Sequence, residues 1–311
     1  MTQTYEPIQK LKPDDIVIAL MGPTGSGKSN IIDKLTGAIG DGELAGRGLK
    51  SYTTKPNALR INGHHIYGDQ IVLLDTPGFD DTTRTDIQIL EMISEWLVNA
   101  YKEKVTLAGI VYLHRITDNR MSGAPHRNLR LFGKLCGEKA AANVVLVTTM
   151  WDKVKGDVGK MREDDLTEHY WNKMIENHAR SDRFYNTSDS AWAIIESVIV
   201  RRIEGVPLLL QEEMVDYHRE LKETSAAQQL YTQLQVLLIR KKDTIRQLAE
   251  QAKEQDDPKA IAAYQEELVK VQKEFEITFG AVNNLQLSFF RKILLFFGKK
   301  PTTKALKIQS Q

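Results

Sequence analysis

The chain has a single cysteine, Cys136, among its 311 residues. No intramolecular disulfide can form, which suits a reducing compartment. Charge of one sign is lacking as well: 42 basic against 41 acidic side chains leave a net +1 with histidine neutral. A dedicated nucleic-acid binder carries a clear basic excess, so no nucleic acid is expected among the partners. No uninterrupted apolar run approaches the roughly 20 residues that a membrane-spanning helix needs. The opening residues, Met1 to Pro7, contain neither a basic nor an apolar segment, and no signal peptide is expected. Internal repeats and low-complexity linkers are absent. These absences predict a cytoplasmic protein of one large or two modest domains, and 41% hydrophobic residues are enough for a real core.

What the chain does have is a glycine-rich loop. Gly22-Pro23-Thr24-Gly25-Ser26-Gly27-Lys28-Ser29 fits the phosphate-loop pattern G-x-x-x-x-G-K-[ST]. The apolar run Ile16 to Met21 before it reads as a buried strand. Ser29 to Ile39 after it, with Ile31, Ile32 and Leu35 on one face, reads as a helix. Glycine lets such a loop wrap a phosphate with its N–H groups pointing inward, so Gly22, Thr24, Gly25, Ser26 and Gly27 are expected to line the anion. The helix N-terminus adds a favourable dipole. Lys28 is placed to reach the β- and γ-phosphates, and Ser29 to offer its hydroxyl to Mg²⁺.

Residues 14 to about 207 alternate apolar runs with amphipathic stretches, the pattern of an α/β domain. Further strands are predicted at Leu49 to Ile61, Gln70 to Asp75, Leu107 to Leu113 and Asn143 to Thr149, with helices over 84–101, 127–136, 163–179 and 189–204. This order predicts a doubly wound, mostly parallel sheet like that of small G proteins, with ligands at the carboxyl ends of its strands. Beyond Pro207 the strands stop. Leu230, Leu234, Leu237, Ile245, Leu248 and Ala252, then Ile261, Tyr264, Leu268, Val271, Phe275 and Phe279, recur at helical steps around the Asp256-Asp257-Pro258 start signal. They predict two amphipathic helices in a hairpin or coiled-coil element; packing on the first domain and self-association both stay open. The expected division is an N-terminal tail (1–13), a nucleotide-binding G domain (14–207), a helical extension (208–284) and an apolar-basic tail (285–311).

The predicted strand ends carry chemistry. Asp75-Thr76-Pro77-Gly78 matches D-x-x-G: the Asp75 carboxylate can hold Mg²⁺ and the Gly78 N–H can meet a γ-phosphate. Thr148-Thr149-Met150-Trp151-Asp152-Lys153 aligns with [NT]-K-x-D, making Thr149, Met150 and Asp152 the counterparts. Guanine presents N1–H and N2–H₂ side by side, and one carboxylate accepts both, so Asp152 selects GTP or GDP over the adenine nucleotides. Met150 replaces the usual lysine; its thioether chain can cover the ring without a charge, and weaker guanine affinity is expected. The Mg²⁺-bridging threonine is sought in Ser51-Tyr52-Thr53-Thr54, with Thr53 preferred and Thr54 next to it, after the glycine-rich stretch Gly40 to Gly48. Asn186, in Phe184-Tyr185-Asn186-Thr187-Ser188, is the candidate for a last base contact. The catalytic set is then Lys28, Thr53 and Gly78. Phe79 stands where Ras-like proteins place the glutamine that orients water, so slow hydrolysis is expected.

The phosphate loop, Asp75-Thr76-Pro77-Gly78-Phe79-Asp80-Asp81 and Tyr112-Leu113-His114-Arg115-Ile116-Thr117-Asp118-Asn119-Arg120-Met121 resemble the septin-related P-loop GTPases. That group includes immunity-associated and chloroplast import-receptor GTPases, and the motifs look most like those of fungal G-domain proteins. The resemblance covers roughly 14–205. It implies a switch using Mg²⁺ and GTP or GDP, and homodimers that meet face to face across the nucleotide. In such a dimer His114, Arg115 and Arg120 would act on the partner's site; alternatively they brace surface loops. A non-catalytic GTP-binding scaffold and an ATP-dependent P-loop enzyme are the competing readings.

The tail is the last distinctive feature. Leu285 to Phe297 sets apolar residues beside Arg291 and Lys292, and the 35 residues after Glu276 carry six positive charges and no negative ones. Residues 285–307 suit peripheral contact with an anionic membrane; they equally suit a helix docked on the G domain.

Overall fold

Strand β2 (Ile16–Met21) is buried at all six positions. A continuous apolar run of this kind belongs to a strand covered on both faces, and β2 occupies the middle of a seven-stranded sheet. The computed structural model describes residues 4–36, 53–81, 84–119, 121, 123–254 and 258–284. The other strands are β1 (Thr4–Ile8), β3 (Asn57–Asn62), β4 (Ile71–Asp75), β5 (Gly109–Arg115), β6 (Val144–Thr149) and β7 (Arg180–Arg183), in spatial order β1-β3-β4-β2-β5-β6-β7. Neighbours from β4 through β7 pair in parallel, while β3 and β1 run antiparallel at one edge. The carboxyl ends of β2, β4, β5, β6 and β7 therefore lie along one side.

The helices are α1 (Lys28–Thr36), α2 (Asp86–Lys102), α3 (Ala124–Cys136), α4 (Gly156–Asp165), α5 (Asn172–Glu176), α6 (Ser188–Arg201), α7 (Leu209–Gln211), α8 (Ser225–Lys253) and α9 (Pro258–Asn284). Strand alternation sends Ile18, Leu20, Leu73, Val111 and Val147 to one face, where they pack with Ile31, Ile32 and Leu35 of α1 and Ile194, Ile195 and Val198 of α6. On α3, Phe132 stacks against Tyr112 of β5 with centroids 4.4 Å apart. Capping boxes start α2 at Thr85 with Gln88 and α6 at Thr187 with Ser190, satisfying orphan N–H groups.

Three local expectations change. Thr4–Ile8, within the stretch read as a tail, pairs with β3 in the register Thr4↔Asn62. Its sequence, TYEPI, is mostly exposed, so an edge strand here lacks the apolar alternation that reveals strands. The strand expected at Leu49 to Ile61 is found at Asn57–Asn62, with 49–52 outside the described residues. The helix expected over 163–179 begins earlier, at Gly156, and breaks into α4, a π turn at Leu166–Tyr170 and α5. Only Gly159 is buried along α4, which left no apolar periodicity to read.

The chain divides into two compact units, Met1–Gln229 and Leu230–Gln311. This boundary lies beyond the composition change at 208 because the intervening residues pack into the first unit: Leu210 is buried, and Gln211 Nε2 donates to Leu97 O of α2 at 2.9 Å. In the second unit α9 and the rest of α8 are joined by the Lys241–Glu274 ion pair, and Phe275 stacks on Phe279 one turn along α9. The tail, 285–311, lies outside the described residues. Among the described residues no helix is long and apolar enough to cross a membrane.

One buried ion pair ties the antiparallel edge to the parallel core. Arg60 of β3 donates to Asp15 through Nη1 at 2.6 Å and Nη2 at 2.8 Å, and to Asp69 O at 2.6 Å. The two side chains are only 4% and 1% exposed. Removing one partner strands the other charge away from water. Arg60→Ala is expected to lower the unfolding free energy by about 3–5 kcal/mol in urea denaturation. A loss below about 1 kcal/mol, the range of exposed pairs, would contradict this account.

Candidate functional site

The turn from β2 into α1 is possible only with glycine. Gly22, Gly25 and Gly27 have φ of 140°, 77° and 99°, and a Cβ on Gly22 would sit 2.4 Å from Leu113 O. Lys28 Nζ donates to Gly22 O at 3.1 Å and Pro23 O at 3.0 Å, curling back over the loop. Burial pushes its ammonium from 10.5 down to about 8, against the opposing pull of Asp75 and Asp81. Ser26 O accepts from Thr149 Oγ1 at 2.9 Å, so the first residue of the base motif anchors the phosphate loop. Ser26 Oγ is buried with no hydrogen-bond partner.

The segment after β4 lies against this loop. Thr24 N donates to Phe79 O at 3.0 Å, and Thr24 Oγ1 donates to Gly78 O at 3.2 Å. A Cβ on Gly78 would come within 2.4 Å of Thr24 N, so close approach accounts for this glycine. Phe79 is 1% exposed: the residue in the glutamine position is a core side chain.

Three oxygen-bearing side chains meet beside the loop. Asp75 Oδ2 accepts from Thr53 Oγ1 at 2.8 Å and Ser29 Oγ at 3.2 Å, and the two hydroxyls are 3.3 Å apart. Burial raises the Asp75 pKa, while Thr53, Lys28 and Ser29 oppose the rise. Asp75 Oδ1 is buried without a partner. An all-oxygen set with an unsatisfied carboxylate oxygen fits a small hard divalent cation, and Mg²⁺ in particular. Thr53 is thus brought to Ser29 and Asp75, whereas Thr54 offers its carbonyl to Arg84. Ser51, Tyr52 and Gly40 to Gly48 lie outside the described residues.

At the far end of the cleft Met150 adopts left-handed geometry, φ 63°, its sulfur accepting from Thr117 Oγ1 at 3.7 Å. Asp152 is exposed. Asn186 Oδ1 accepts from Asn30 Nδ2 of α1 at 2.8 Å, which joins the candidate base loop to the helix behind the phosphate loop. Trp151 escaped the sequence reading. Its Nε1 donates to Thr148 Oγ1 at 3.0 Å, and the Arg183 guanidinium lies 4.3 Å over its ring, itself paired with Glu163. The tryptophan's place next to Asp152 was the available signal; the residues bracing it come from distant segments.

Two residues from the end of β5 part company. His114 is buried edge-on to Trp171 at 6.2 Å, and burial pushes its pKa down to about 4. A neutral core imidazole cannot reach a partner's nucleotide, which corrects its expected intermolecular role. Arg115 pairs with Asp118 at 3.1 Å and keeps about a third of its side chain exposed. Its Nη1 is 3.4 Å from where a Cβ on Gly25 would stand, beside the phosphate loop of its own chain. Arg120 lies outside the described residues.

His64, His65 and Glu196 also gather, their ligand atoms within 4.8 Å of one another. His64 Nδ1 accepts from the Ile66 and Tyr67 N–H groups at 3.3 and 3.2 Å, so a ring proton sits on Nε2, 3.3 Å from Glu196 Oε1. A metal requires a bare nitrogen there, and the cluster is a clasp on the β3–β4 turn.

A phosphate loop after β2, D-x-x-G after β4 and T-x-x-D after β6, on this strand order, define a P-loop GTPase domain with an α-helical C-terminal region. Residues 17–150 match the model of the 50S ribosome-binding GTPase family. Among solved structures the chain is similar to Toc33 from Arabidopsis thaliana in complex with GDP and Mg²⁺, at 17% identity, covering 61% of this chain and 86% of that one with a TM-score of 0.46. It is similar to a structure of the chloroplast translocon components atToc33 and psToc159, for which dimerisation is important for GTPase activity; here identity is 15%, coverage 63% and 86%, and TM-score 0.48. A bacterial selenocysteine-specific elongation factor is similar at 19% identity over 62% of this chain and 29% of that one, TM-score 0.43. Comparison with curated proteins finds no match.

The buried Lys28 gives a pH test. In the unfolded chain the amine keeps its proton up to about 10.5, but in the folded chain only up to about 8. Between these values the unfolded state holds the Lys28 proton and the folded state does not, so this group adds stability as pH rises, by about 3 kcal/mol across the window. The buried Cys136 thiol, pushed up by burial, acts in the opposite sense. Lys28→Met should remove the lysine's share and make the slope less positive. Urea unfolding of both proteins across this window checks the slope; equal slopes would refute the assignment.

Proposed function

We propose that this chain binds GTP and GDP with Mg²⁺, hydrolyses GTP slowly and acts as a nucleotide-dependent switch. The observation that carries the reading is the meeting of Ser29, Thr53 and Asp75 oxygens beside Lys28 and the phosphate loop. Ser29, Thr53 and Asp75 would hold Mg²⁺, which would supply positive charge against the negative charge that develops during phosphoryl transfer. Loop N–H groups and the Lys28 ammonium hold the β- and γ-phosphates, and the Gly78 N–H meets the γ-phosphate. Phosphoryl transfer depends on such positioning and electrostatic stabilisation. Phe79 offers no polar atom to orient water and is turned into the core, so turnover below the ~10⁻⁴ s⁻¹ of glutamine-bearing relatives fits. The septin-related character rests on the motif resemblance.

Asp152 sets the base. Losing a charged acceptor costs about 1.5–3 kcal/mol, so Asp152→Ala should weaken GTP binding roughly 10- to 150-fold and leave ATP binding as it was. Calorimetric titration with both nucleotides measures this; a parallel loss for GTP and ATP would sink the guanine assignment.

Activation by G-domain dimerisation is the finer part of the proposal and rests on the motif resemblance. Single-turnover phosphate release, measured against a Lys28→Ala background, should accelerate as protein concentration rises from nanomolar to high micromolar. A flat rate would remove dimer activation; no release above background would favour the scaffold reading.

A further inference from the structure

Away from the nucleotide cleft, α3 forms one wall of a cavity of about 650 Å³. His126, Arg130, Gly133 and Lys134 line it, and their spacing sets them on one face of the helix. Tyr170, Lys173 and Met174, from the π turn and α5, line it too, with Leu209 of α7 and Gln229 of α8. It shares no residue with the nucleotide site.

Three observations need a common cause. First, Arg130, Lys134 and Lys173 are exposed at this cavity and enter no ion pair among the described residues. Of the two acidic residues there, Glu138 and Glu212, the second is taken by Lys139 at 2.9 Å. Second, Gly133 stands inside α3, where glycine is less favourable than alanine. It has no positive φ, and a Cβ on it would meet nothing within 4 Å. Neither backbone geometry nor close packing accounts for this glycine; it keeps the cavity wide. Third, Gln229 Nε2 is a buried amide donor with no hydrogen-bond partner.

We propose that this cavity binds an anionic amphiphile. A carboxylate or phosphate head would take charge-assisted hydrogen bonds from Arg130, Lys134 and Lys173, and an apolar body would lie on Leu129, Met174 and Leu209. The volume falls within the roughly 300–1,000 Å³ of small-molecule sites, which pair an apolar lining with a few polar groups. An unpaired set of cations over apolar walls favours this ligand class over a neutral or cationic one.

The test is calorimetric titration of the full chain with dodecyl phosphate and with dodecanoate, each below its micelle concentration. Inorganic phosphate and dodecyl maltoside separate the contributions of head and body. Saturable binding of one or both anionic amphiphiles is expected, at least tenfold tighter than dodecyl maltoside, with inorganic phosphate alone weaker still; the tighter of the two heads names the ligand class. Gly133→Phe should fill the cavity and abolish binding, while GTP affinity stays as in the wild type. The exposed pair Arg130→Glu and Lys173→Glu should weaken binding at least tenfold, and it decides alone if Gly133→Phe does not fold. Unchanged dodecyl phosphate affinity in the charge-reversed chain, equal binding of dodecyl maltoside, or no binding of either anionic amphiphile overturns the proposal.

Discussion

A cation held out of water sets the terms for the whole first unit. Lys28 is buried with its ammonium on two loop carbonyls, and burial opposes its charge. The strongest opposing pull comes from the buried carboxylate of Asp75, whose own charge is opposed in the same way. Each needs the other, and both need an electrostatic environment that bulk solvent does not provide. The central strands serve this need: β2 delivers the lysine, β4 the carboxylate, and β6 the threonine that holds the loop. Polyphosphate with a divalent cation is the ligand whose charges complement both groups together.

The same linkage joins the two ends of the cleft. Thr149 belongs by sequence to the base motif, yet its hydroxyl is spent on Ser26 of the phosphate loop. Asn186, on the candidate base loop, is held by Asn30 of α1. Short side chains thus tie the candidate base motif and base loop to the phosphate loop and the helix behind it.

How legible was this in the sequence? The parallel core was legible because β2 is apolar throughout and β4, β5 and β6 each carry an apolar run ending in polar residues, and such runs have few alternative fates. The phosphate loop and Asp75-to-Gly78 were legible because glycine geometry and strand-end chemistry leave a local signature. Thr53, rather than Thr54, meets Ser29 and Asp75, a distinction set by backbone direction that residue type does not encode. The edge strand β1 and helix α4 were not legible, since neither buries a periodic apolar face. For His114 the sequence left two roles open, because a polar residue at a strand end suits a site as well as packing; here it fills space against Trp171. The bracing of Trp151 by Arg183 and Glu163 depends on contacts between segments, which no local pattern records.

The sheet ends in two strands that discourage lateral growth. One edge is β1, short and mostly exposed, with Pro7 lacking an N–H to donate; the other is β7, whose four residues, RSDR, include three charges. Proline and charge on edge strands are the usual defence against strand-to-strand pairing between molecules. Two copies of this domain are thereby denied the simplest route to association, a continuous intermolecular sheet. Loops and helices are left as the surfaces through which copies could meet without extending the sheet.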